Sequence, residues 1–590
     1  MQLSDVRTTI QYWASHEVFD EKTRGEVQAL IDADDTDSLL DRFGSELEFG
    51  TAGLRGIMGA GTARMNVYNV RKASAALASY LRETQKGDLS LGITFDSRHQ
   101  SVNFAKACAE VMAGYGIKTF ITKELRPVPM LSFLVRQYGC AGGVCLTASH
   151  NPPAYNGFKV YWNTGGQIVP PHDKNIIEKY RSITALESID RIPFEKALAE
   201  GLIEEVGEEL DDAYFEALKG LRSPLKTSSK LKVVFTPLHG TAGKALPRGL
   251  KLFGFDQVSV VPSQCEPDGD FPTVKFPNPE DPEALALAIA QAKEENADLV
   301  LATDPDCDRI GIAVRAPEGF VRLNGNEIKV LLVDYVLKVA KQSGNLPASP
   351  LVIKTIVTTD MEFPIAESYG AVVEETLTGF KWIANRIEDY ESGSRKPYRK
   401  FLCGGEEAHG FLAGTFVRDK DGLSACCLAA EMASYYQAKG KTLLDVLDDL
   451  SMEHGVFVDA VHAVTLAGLE GRKKIDGAME RLRQSPPETL NGDRVVERCD
   501  FLTGHRTHLE GEEWKPLSPL EIPQSNVLQF YLADRSKISV RPSGTEPKIK
   551  FYFSMRNPAP KTKEGLVETK ATGTKRIQDI LNQLLAEAGI

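Results

Sequence analysis

The sequence lacks the marks of several protein classes. Among its 590 residues the nine cysteines are scattered, only Cys426 and Cys427 are adjacent, and no Cys-x-x-Cys pair occurs. An odd number of thiols without a disulfide framework predicts reduced cysteines, as in the cytosol. No stretch approaches the roughly 18 uninterrupted apolar residues of a membrane span, and the N-terminal residues have early acids and no apolar signal core. We therefore expect a soluble, cytoplasmic protein.

A surplus of positive charge is also missing. The 69 Lys and Arg against 81 Asp and Glu give a formal net charge of −12, which disfavours non-specific binding to nucleic acid or to anionic membranes. The sequence has no G-x-x-x-x-G-K-[ST] motif, which excludes a P-loop nucleotide hydrolase. It also has no G-x-S-x-G elbow, which disfavours a serine esterase or protease. An acidic chain that handles a phosphorylated substrate needs locally concentrated Arg and Lys, or a metal ion.

The chain is folded and organised in several domains. Apolar residues make up 42% and charged residues 25%, as in globular proteins, and the length predicts about three to five domains. One pattern, a strand, a polar turn, an amphipathic helix, a glycine and a second strand, recurs in residues 89–121, 231–261 and 351–377. Because the chain must cross back between two parallel strands, this pattern predicts parallel pairs. We expect three similar mixed-sheet α/β domains, with the residues before about 85 packed on the first.

The C-terminal part has a different pattern. Residues 537–555 predict two strands around a glycine-containing loop, and residues 568–589 predict a helix with Ile and Leu on one face. These elements indicate a smaller α+β domain. The four expected domains are residues 1–225, 226–346, 347–480 and 481–590.

Three aspartates directly follow an apolar strand, at Asp304, Asp306 and Asp308. In an extended chain alternate side chains point to one face, so the three carboxylates are expected to converge. Oxygen ligands without His or Cys favour Mg²⁺ or Ca²⁺ over zinc. An EF-hand calcium loop is excluded, because Arg309 and Arg315 stand where Gly and Glu are needed. Arg309 could neutralise a nearby phosphate; the alternative for the whole segment is a solvated acidic turn.

Another apolar strand ends in Thr-Ala-Ser-His-Asn-Pro-Pro, which contains Ser149 and His150. In an extended chain these neighbours face opposite ways, which makes them poor partners for a Ser–His dyad. Asn156-Gly157 predicts a tight turn, after which Lys159 could return beside Ser149. Phosphoryl transfer depends mainly on positioning and charge neutralisation, so a serine near a basic residue and a metal site suits it better than acyl transfer. The alternative is a strand that ends in a stiff turn.

Three further loops have binding chemistry, each with a plainer alternative. Residues 541–547, Arg-Pro-Ser-Gly-Thr-Glu-Pro, offer a forked guanidinium, hydroxyls and N–H groups to an anion, but hairpin loops often have this composition. Residues 403–412 place paired acids at the end of a strand, where they could accept hydrogen bonds from sugar hydroxyls or form an exposed acidic turn. Residues 49–56 place Arg55 in a glycine-bounded loop, where it could also form a surface ion pair.

Four of these motifs, TASHNP, DPDCDR, GEEAHG and RPSGTEP, occur in the order and spacing of one family. In residues 46–553 the chain resembles the α-D-phosphohexomutases, the phosphoglucomutase/phosphomannomutase superfamily. Its length and residues 48–66 are closer to the longer branch, which includes phosphopentomutase-like members. The resemblance implies an isomerase of carbohydrate metabolism with four domains around a central cleft. It also implies Mg²⁺, a hexose bisphosphate as activator and intermediate, and small sugar phosphates as partners of a monomer or small homo-oligomer.

The resemblance assigns roles by position. The phosphoserine would be Ser149. The Mg²⁺ ligands would be Ser149, Asp304, Asp306 and Asp308. The residues around the reacting phosphate would be Arg55, His150 and Lys159. The substrate-binding residues would be Arg309, Gly379, Lys381, Glu406, His409, Arg541, Ser543, Gly544 and Thr545.

The implied activity is the interconversion of hexose 1-phosphate and hexose 6-phosphate. Glucose is the first expected sugar, with mannose and pentose as alternatives, because Ala408 stands where many phosphoglucomutases have a serine in the sugar loop. A proton must also be transferred, with Lys159 and His150 as the two candidates. Two other classes remain open: a metal-dependent sugar phosphatase that admits water to the same aspartates, and a non-catalytic sugar-phosphate binder with an unreactive serine.

Overall fold

The computed structural model describes residues 3–47, 49–50, 53–228, 230–466, 468–543 and 547–590. The chain divides into two compact units. Unit 1 consists of Met1–Leu323, Ala384–Lys396 and His409–Tyr435. Unit 2 consists of Asn324–Ile383, Pro397–Ala408 and Tyr436–Ile590. Over the residues described, no helix is both long and apolar enough to cross a membrane.

Three helices begin the chain and pack on one another through an aromatic cluster. Trp13 stacks on Phe19 with ring centroids 4.3 Å apart, and both contact Tyr68, which belongs to the first helix of the following domain. Leu77 and Leu81 of that helix share one core with Ile93 and Phe104, so the expected packing of the residues before about 85 on the first domain is confirmed. These helices are α1 (Leu3–Ser15), α2 (Glu21–Asp32) and α3 (Thr36–Phe43).

The first sheet of unit 1 is mixed and has seven strands in the order β1-β2-β6-β5-β3-β4-β7. Strands β3 and β4 are parallel and flank helix α5, which confirms the first predicted strand-helix-strand repeat. The strands are β1 (Phe49–Gly50), β2 (Gly53–Ile57), β3 (Ser90–Phe95), β4 (Lys118–Thr122), β5 (Gly142–Leu146), β6 (Tyr155–Trp162) and β7 (Ile203–Val206). The helices are α4 (Val67–Thr84), α5 (Ser101–Gly114), α6 (Val128–Gln137), α7 (His172–Ser182), α8 (Phe194–Ala199) and α9 (Glu208–Lys219).

The second sheet of unit 1 has five strands in the order β12-β11-β10-β8-β9. Strands β8 and β9 are parallel and flank helix α10, as the second repeat predicts. The strands are β8 (Val233–Thr236), β9 (Val258–Val260), β10 (Leu299–Thr303), β11 (Ile310–Ala316) and β12 (Gly319–Leu323). The helices are α10 (Ala242–Leu252), α11 (Pro262–Cys265) and α12 (Ala286–Glu294), with short 3₁₀ turns at Leu186–Ser188 and Pro282–Leu285.

The third repeat is also confirmed. In unit 2, β13 pairs in parallel with β14 across helix α14, and in parallel with β15 on its other side. The strands in this part of the chain are β13 (Pro350–Thr355), β14 (Val372–Thr376), β15 (Lys400–Glu406) and β16 (Gly410–Ala413). The helices are α13 (Gly325–Gln342), α14 (Glu362–Ser368), α15 (Phe380–Glu391) and α16 (Gly422–Gln437). Strand β16 and most of α15 and α16 belong to unit 1.

The last sheet of unit 2 is antiparallel, in the order β17-β24-β23-β22-β19-β20-β21, with β18 paired to β19. Its strands are β17 (Val456–Thr465), β18 (Thr489–Leu490), β19 (Asp493–Asp500), β20 (His505–Glu510), β21 (Glu513–Pro516), β22 (Leu528–Leu532), β23 (Lys537–Pro542) and β24 (Lys548–Asn557). Its helices are α17 (Leu443–His454), α18 (Gly468–Gln484) and α19 (Lys563–Ala588). The predicted strand pair β23–β24 and the predicted helix α19 are both present.

The strand pairing favours a fourth domain that begins earlier than the expected boundary at residue 481. Strand β17 pairs with β24 over its whole length, and α18 contributes Ile475, Ala478 and Met479 to the core beneath this sheet. The strand was hard to assign from sequence because its partner lies far along the chain and most of its residues are only partly buried. We therefore propose a boundary close to Val456.

Candidate active site

The serine loop connects the C-terminal end of strand β5 to the start of strand β6, two central strands of the first sheet. Asn156 and Gly157 lie inside β6, not in the predicted tight turn, and Gly157 pairs with Arg55 of β2. A Cβ on Gly157 would lie 2.5 Å from the Thr147 carbonyl oxygen and 2.8 Å from that of Leu54. The close approach of three backbone segments explains this glycine.

Ser149 has an unusual backbone conformation. Its φ is +52°, a left-handed value that costs a non-glycine residue free energy and is often found at functional sites. The Ser149 amide donates to Thr147 Oγ1 at 2.8 Å, and the side chain is buried. Because the chain turns here, Ser149 and His150 do not alternate, and Ser149 Oγ lies 3.1 Å from His150 Nδ1. The prediction that these side chains face opposite ways is wrong.

Arg98 binds the backbone of this loop. Its guanidinium donates to the carbonyl oxygens of Ser149 at 2.6 Å, Pro152 at 2.8 Å and Tyr155 at 3.1 Å, and also to that of Asn151. The Arg98 side chain is fully buried and forms an ion pair with buried Asp96 at 3.3 Å. One forked cation thus fixes four carbonyl groups of a loop without regular structure. The sequence reasoning missed Arg98.

The acidic loop joins β10 to β11 and brings the three aspartates together. One carboxylate oxygen from each of Asp304, Asp306 and Asp308 lies within 4.8 Å of the others, and all three residues are buried. The convergence is confirmed, but its predicted reason is wrong. The segment is a turn, with Cys307 at φ +56° and its amide bonded to the Asp304 carbonyl.

The serine and acidic loops meet directly. Ser149 Oγ donates a hydrogen bond to Asp304 Oδ2 at 3.0 Å. Thr147 Oγ1 donates to Asp306 Oδ2 at 3.2 Å. The other oxygen of Asp304 accepts the amides of Asp308 and Arg309 at 3.1 Å each. The hydroxyl of Ser149 is therefore within reach of a group held by the three carboxylates.

Basic side chains surround the three carboxylates. Lys159 Nζ lies 2.7 Å from Asp306 and 3.3 Å from Asp308. Arg309 pairs with Glu280, and its Nε lies 3.9 Å from both Asp304 and Asp308. This charge balance lets the acids remain buried without a large repulsion.

A second lysine was not predicted. Lys420 Nζ lies 2.9 Å from Asp308 Oδ2. Its neighbours are anchored in unit 1, since Tyr161 donates to Asp419 at 2.6 Å and Tyr214 donates to Asp421 at 2.7 Å. The charged run Arg-Asp-Lys-Asp-Gly after an apolar strand could have drawn attention to residues 418–422, but nothing local indicates which carboxylate they meet.

The pKa shifts follow from burial and from this charge pattern. Burial, then the charges of Asp308 and Asp306, raise the pKa of Asp304 well above its usual value. Burial acts in the same direction on Asp308, but the ammonium groups of Lys420 and Lys159 outweigh it, and the Asp308 pKa is lowered. Burial and the cations Arg309 and Arg55 lower the pKa of His150 well below its usual value. The imidazole is therefore neutral near pH 7.

The donor set fits a divalent cation with oxygen ligands. Asp306 Oδ1 and Asp308 Oδ1 are buried and make no hydrogen bond with any described residue. Buried carboxylate oxygens without partners are costly unless a cation compensates them. Three carboxylates, without His or Cys among them, match the ligand preference of Mg²⁺. Within the described residues, these three carboxylates lie close enough together to bind one ion.

Two other predicted residues of unit 1 lie at the edges of the site. Arg55 is exposed, and its Nη1 donates to Asn151 Oδ1 at 3.3 Å, next to the serine loop. His409 is buried, with φ +61°, and its Nδ1 lies 2.8 Å from the Ile310 carbonyl oxygen at the start of β11. That contact places His409 close to the acidic loop.

The remaining predicted residues belong to unit 2. Gly379 has φ +104°, and buried Lys381 has its Nζ 5.3 Å from the centre of the Trp382 ring. Glu406 ends β15, and Arg541 lies in β23. Burial is the largest cause of the raised pKa of Tyr552. The Glu407 carboxylate raises this pKa further and the Arg541 guanidinium lowers it, so Glu407 and Arg541 both lie near Tyr552. The Ser543 amide donates to the Lys548 carbonyl at 2.7 Å, whereas Gly544 and Thr545 lie outside the described residues.

Comparison with known proteins agrees with this arrangement. Family models described as phosphoglucomutase/phosphomannomutase, alpha/beta/alpha domains I, II and III, match residues 46–187, 212–319 and 324–453. The chain belongs to the phosphoglucomutase/phosphomannomutase family. The resemblance inferred from the motifs is confirmed, and so is the fold class of mixed-sheet α/β domains followed by a C-terminal sheet-rich domain.

Curated relatives in this family match most of the chain. A phosphoglucomutase of Staphylococcus epidermidis is 37% identical over 510 residues, 86% of this chain and 90% of the relative. A phosphoglucomutase of Staphylococcus aureus is 36% identical over 517 residues, 88% and 91% of the two chains.

Solved structures of the family share the fold at lower identity. A phosphoglucomutase/phosphomannomutase family protein from Burkholderia thailandensis gives a TM-score of 0.64 at 20% identity, over 91% of this chain and 96% of the other. The pp63/parafusin phosphoglucomutase from Paramecium gives 0.64 at 18% identity, over 92% and 97%.

Proposed function

We propose that this protein is a phosphohexomutase that interconverts hexose 1-phosphate and hexose 6-phosphate, with glucose as the sugar. The main support is the position of Ser149, whose hydroxyl lies 3.0 Å from one of three converging buried carboxylates in a chain of this family. The relatives named phosphoglucomutase, at 36–37% identity over most of the chain, support glucose over mannose and pentose.

In the proposed reaction, phosphorylated Ser149 donates its phosphoryl group to the free hydroxyl of a sugar monophosphate. The bisphosphate that forms reorients and returns its other phosphoryl group to Ser149. Lys159 and Arg309 supply positive charge near the serine oxygen, and Arg55 faces the same loop. Such fixed charges stabilise the transferring group without reorganisation. His150, 3.1 Å from Ser149 Oγ, and Lys159 are the two candidates for moving the proton of the sugar hydroxyl.

The three aspartates would hold Mg²⁺, with Ser149 as a further ligand. A bound divalent cation offsets negative charge on a phosphate and on the departing serine oxygen. By the family resemblance, Glu406 would accept hydrogen bonds from sugar hydroxyls, with His409 as a further substrate-binding residue, and Arg541, Ser543, Gly544 and Thr545 would bind the non-reacting phosphate. A forked guanidinium recognises charge, so either phosphate of a bisphosphate can occupy this position.

A substrate panel tests the proposed function. Glucose, mannose and ribose 1-phosphates are supplied separately with Mg²⁺ and a trace of the matching bisphosphate, and product formation is followed together with release of inorganic phosphate. We expect glucose 1-phosphate to give glucose 6-phosphate fastest, without steady phosphate release. Steady release of phosphate would indicate a phosphatase, and binding without conversion or serine phosphorylation would indicate a sugar-phosphate binder.

Arg98 provides a test of loop positioning. We expect Arg98→Lys to lower kcat by about 10- to 100-fold while KM for the sugar phosphate changes little, because a small displacement of a reacting group is costly and an ammonium cannot hold four carbonyls as a guanidinium does. Arg136→Lys is the matched control, since Arg136 also donates to a carbonyl, that of Thr164 at 2.9 Å, away from the serine loop.

Steady-state kinetics and thermal unfolding of both variants separate positioning from general instability. A native kcat in Arg98→Lys would contradict the positioning role of Arg98. So would a lowered melting temperature together with a KM that changes by as large a factor as kcat.

A further inference from the structure

Unit 2 contains a cavity that the proposed reaction does not use. Its volume is about 330 Å³, near the lower limit of the roughly 300–1,000 Å³ of small-ligand pockets. A small molecule would therefore fit it. The cavity is lined by Asp360, Phe363, Pro364, Glu367, Glu375, Phe457, Arg506, Tyr531, Arg535 and Arg556.

The strand register separates this cavity from the loop that contains Arg541. Arg541 pairs with Lys550 of β24, whereas the cavity residue Phe457 pairs with Arg556 of the same strand. At about 3.3 Å per residue, Lys550 and Arg556 are about 20 Å apart. The cavity lies toward the opposite end of the fourth sheet from the proposed phosphate-binding loop.

Two of the three acids that line the cavity are already neutralised. Lys354 Nζ lies 2.8 Å from both Asp360 and Glu375. Lys537 also pairs with Asp360 and lies 3.4 Å from Glu375. Two buried ammonium groups therefore balance these two carboxylates, and the acids would not repel an anion as they would if they were unpaired.

The guanidinium groups of the cavity share fewer ionic partners than these two acids do. Glu497 lies 2.7 Å from Arg506 and 3.1 Å from Arg535, so one carboxylate serves two arginines. Arg556 is exposed, and its guanidinium lies 5.9 Å from the centre of the Phe457 ring. Within the described part of the chain, no hydrogen bond or ion pair engages that guanidinium. Against the three guanidinium groups of the lining stand Glu497 and the exposed Glu367, which leaves a surplus of one positive charge. A guanidinium fork matches a phosphate or carboxylate.

Aromatic side chains form the other walls. Phe363 remains 39% exposed, and the Lys354 ammonium lies 4.9 Å from the centre of its ring. Tyr531 has the Arg535 guanidinium 5.1 Å from its ring centre. Flat apolar faces beside cations bind planar rings by stacking and bind charged groups by ion pairing.

We propose that this cavity binds a small anion that carries a planar ring, with its phosphate or carboxylate on Arg556, Arg535 and Arg506 and its ring against Phe363 and Phe457. This binding goes beyond the mutase reaction and requires neither Ser149 nor the three aspartates. The ligand class includes nucleoside monophosphates and aromatic phosphates, which share the same chemistry.

Calorimetric titration of the full chain, without sugar phosphate, tests the proposal with adenosine 5′-monophosphate, adenosine and inorganic phosphate as probes. We expect the monophosphate to bind more tightly than either fragment. Arg556→Ala should weaken its binding by about tenfold or more, since a hydrogen bond to a charged group is lost. Phe363→Ala should weaken the binding of the monophosphate and leave the binding of inorganic phosphate unchanged. Arg472→Ala, an exposed arginine of α18 in the same unit, is the matched control and should change neither.

Three outcomes would overturn the proposal. One is the absence of monophosphate binding at millimolar concentration. The second is binding that Arg556→Ala and Phe363→Ala leave unchanged. The third is binding that glucose 1,6-bisphosphate displaces and Arg541→Ala abolishes, which would place the probe in the mutase site. Mutase activity of Arg556→Ala is measured in parallel and should remain native, so this result is independent of the proposed function.

Discussion

Replacement of Ser149 by alanine should abolish turnover, with kcat lowered by at least about 10⁴-fold. The hydroxyl is the atom that would carry the phosphoryl group: Ser149 Oγ lies 3.0 Å from Asp304 and 3.1 Å from His150. Alanine retains the backbone and leaves the Arg98 contacts to the loop carbonyls available. The protein should therefore keep its fold and its affinity for sugar phosphate while losing catalysis.

Two measurements check this expectation. Incubation with labelled glucose 1,6-bisphosphate should place acid-stable label on the native protein and none on Ser149→Ala, and calorimetry should give similar glucose 6-phosphate affinities for both. Ser188→Ala is the matched control, since Ser188 is exposed and its hydroxyl donates to the Ala185 carbonyl three residues earlier, at 2.7 Å. Native turnover, or undiminished labelling, in Ser149→Ala would exclude the phosphoserine scheme.

The strand-helix-strand units were predictable because their signals are local. Each places two short apolar runs on either side of a periodic helix, and a parallel pair can be connected in few other ways. Strands β3 and β4 around α5 are one example. The start of the fourth domain was not predictable in the same way, because β17 is recognised by its pairing with β24 and not by its own alternation.

In the candidate site, too, features with a local sequence signal were predicted and features that depend on the backbone conformation were not. Asp304, Asp306 and Asp308 lie so close in sequence that either an extended chain or a turn would bring them together, so their convergence was predicted although the assumed conformation was wrong. The contact between Ser149 and His150 depends on the left-handed backbone of Ser149, which sequence alone does not indicate for a serine.

Residues that act across the fold were missed. Arg98 reaches the serine loop from more than fifty residues earlier, and Lys420 reaches Asp308 from more than a hundred residues later. Their sequence neighbourhoods are those of many surface arginines and lysines. What distinguishes them is burial against partners that only the tertiary structure brings close.

Asp306→Asn should weaken Mg²⁺ binding and lower kcat by at least about 10²-fold, more than the loss expected from an outer-sphere residue. Asp306 contributes one buried oxygen without a hydrogen-bond partner among the described residues, and its other oxygen accepts from Lys159 at 2.7 Å. Asparagine preserves the volume and one oxygen but removes the charge that attracts the cation. Lys159 keeps Asp308 as a partner at 3.3 Å, so the fold should persist.

Calorimetric titration of the metal-free protein with Mg²⁺, and activity measured against Mg²⁺ concentration, check the prediction. Part of the lost activity should return as Mg²⁺ is raised, because a weaker site fills by mass action. Asp281→Asn is the matched control: Asp281 caps the 3₁₀ turn Pro282–Leu285 by accepting the Glu283 amide at 2.9 Å, and asparagine can do the same. If Asp306→Asn kept both native Mg²⁺ affinity and native kcat, the three carboxylates would not be the metal site, and the charge-neutralising role inferred for them would have to be assigned to the surrounding lysines and arginines.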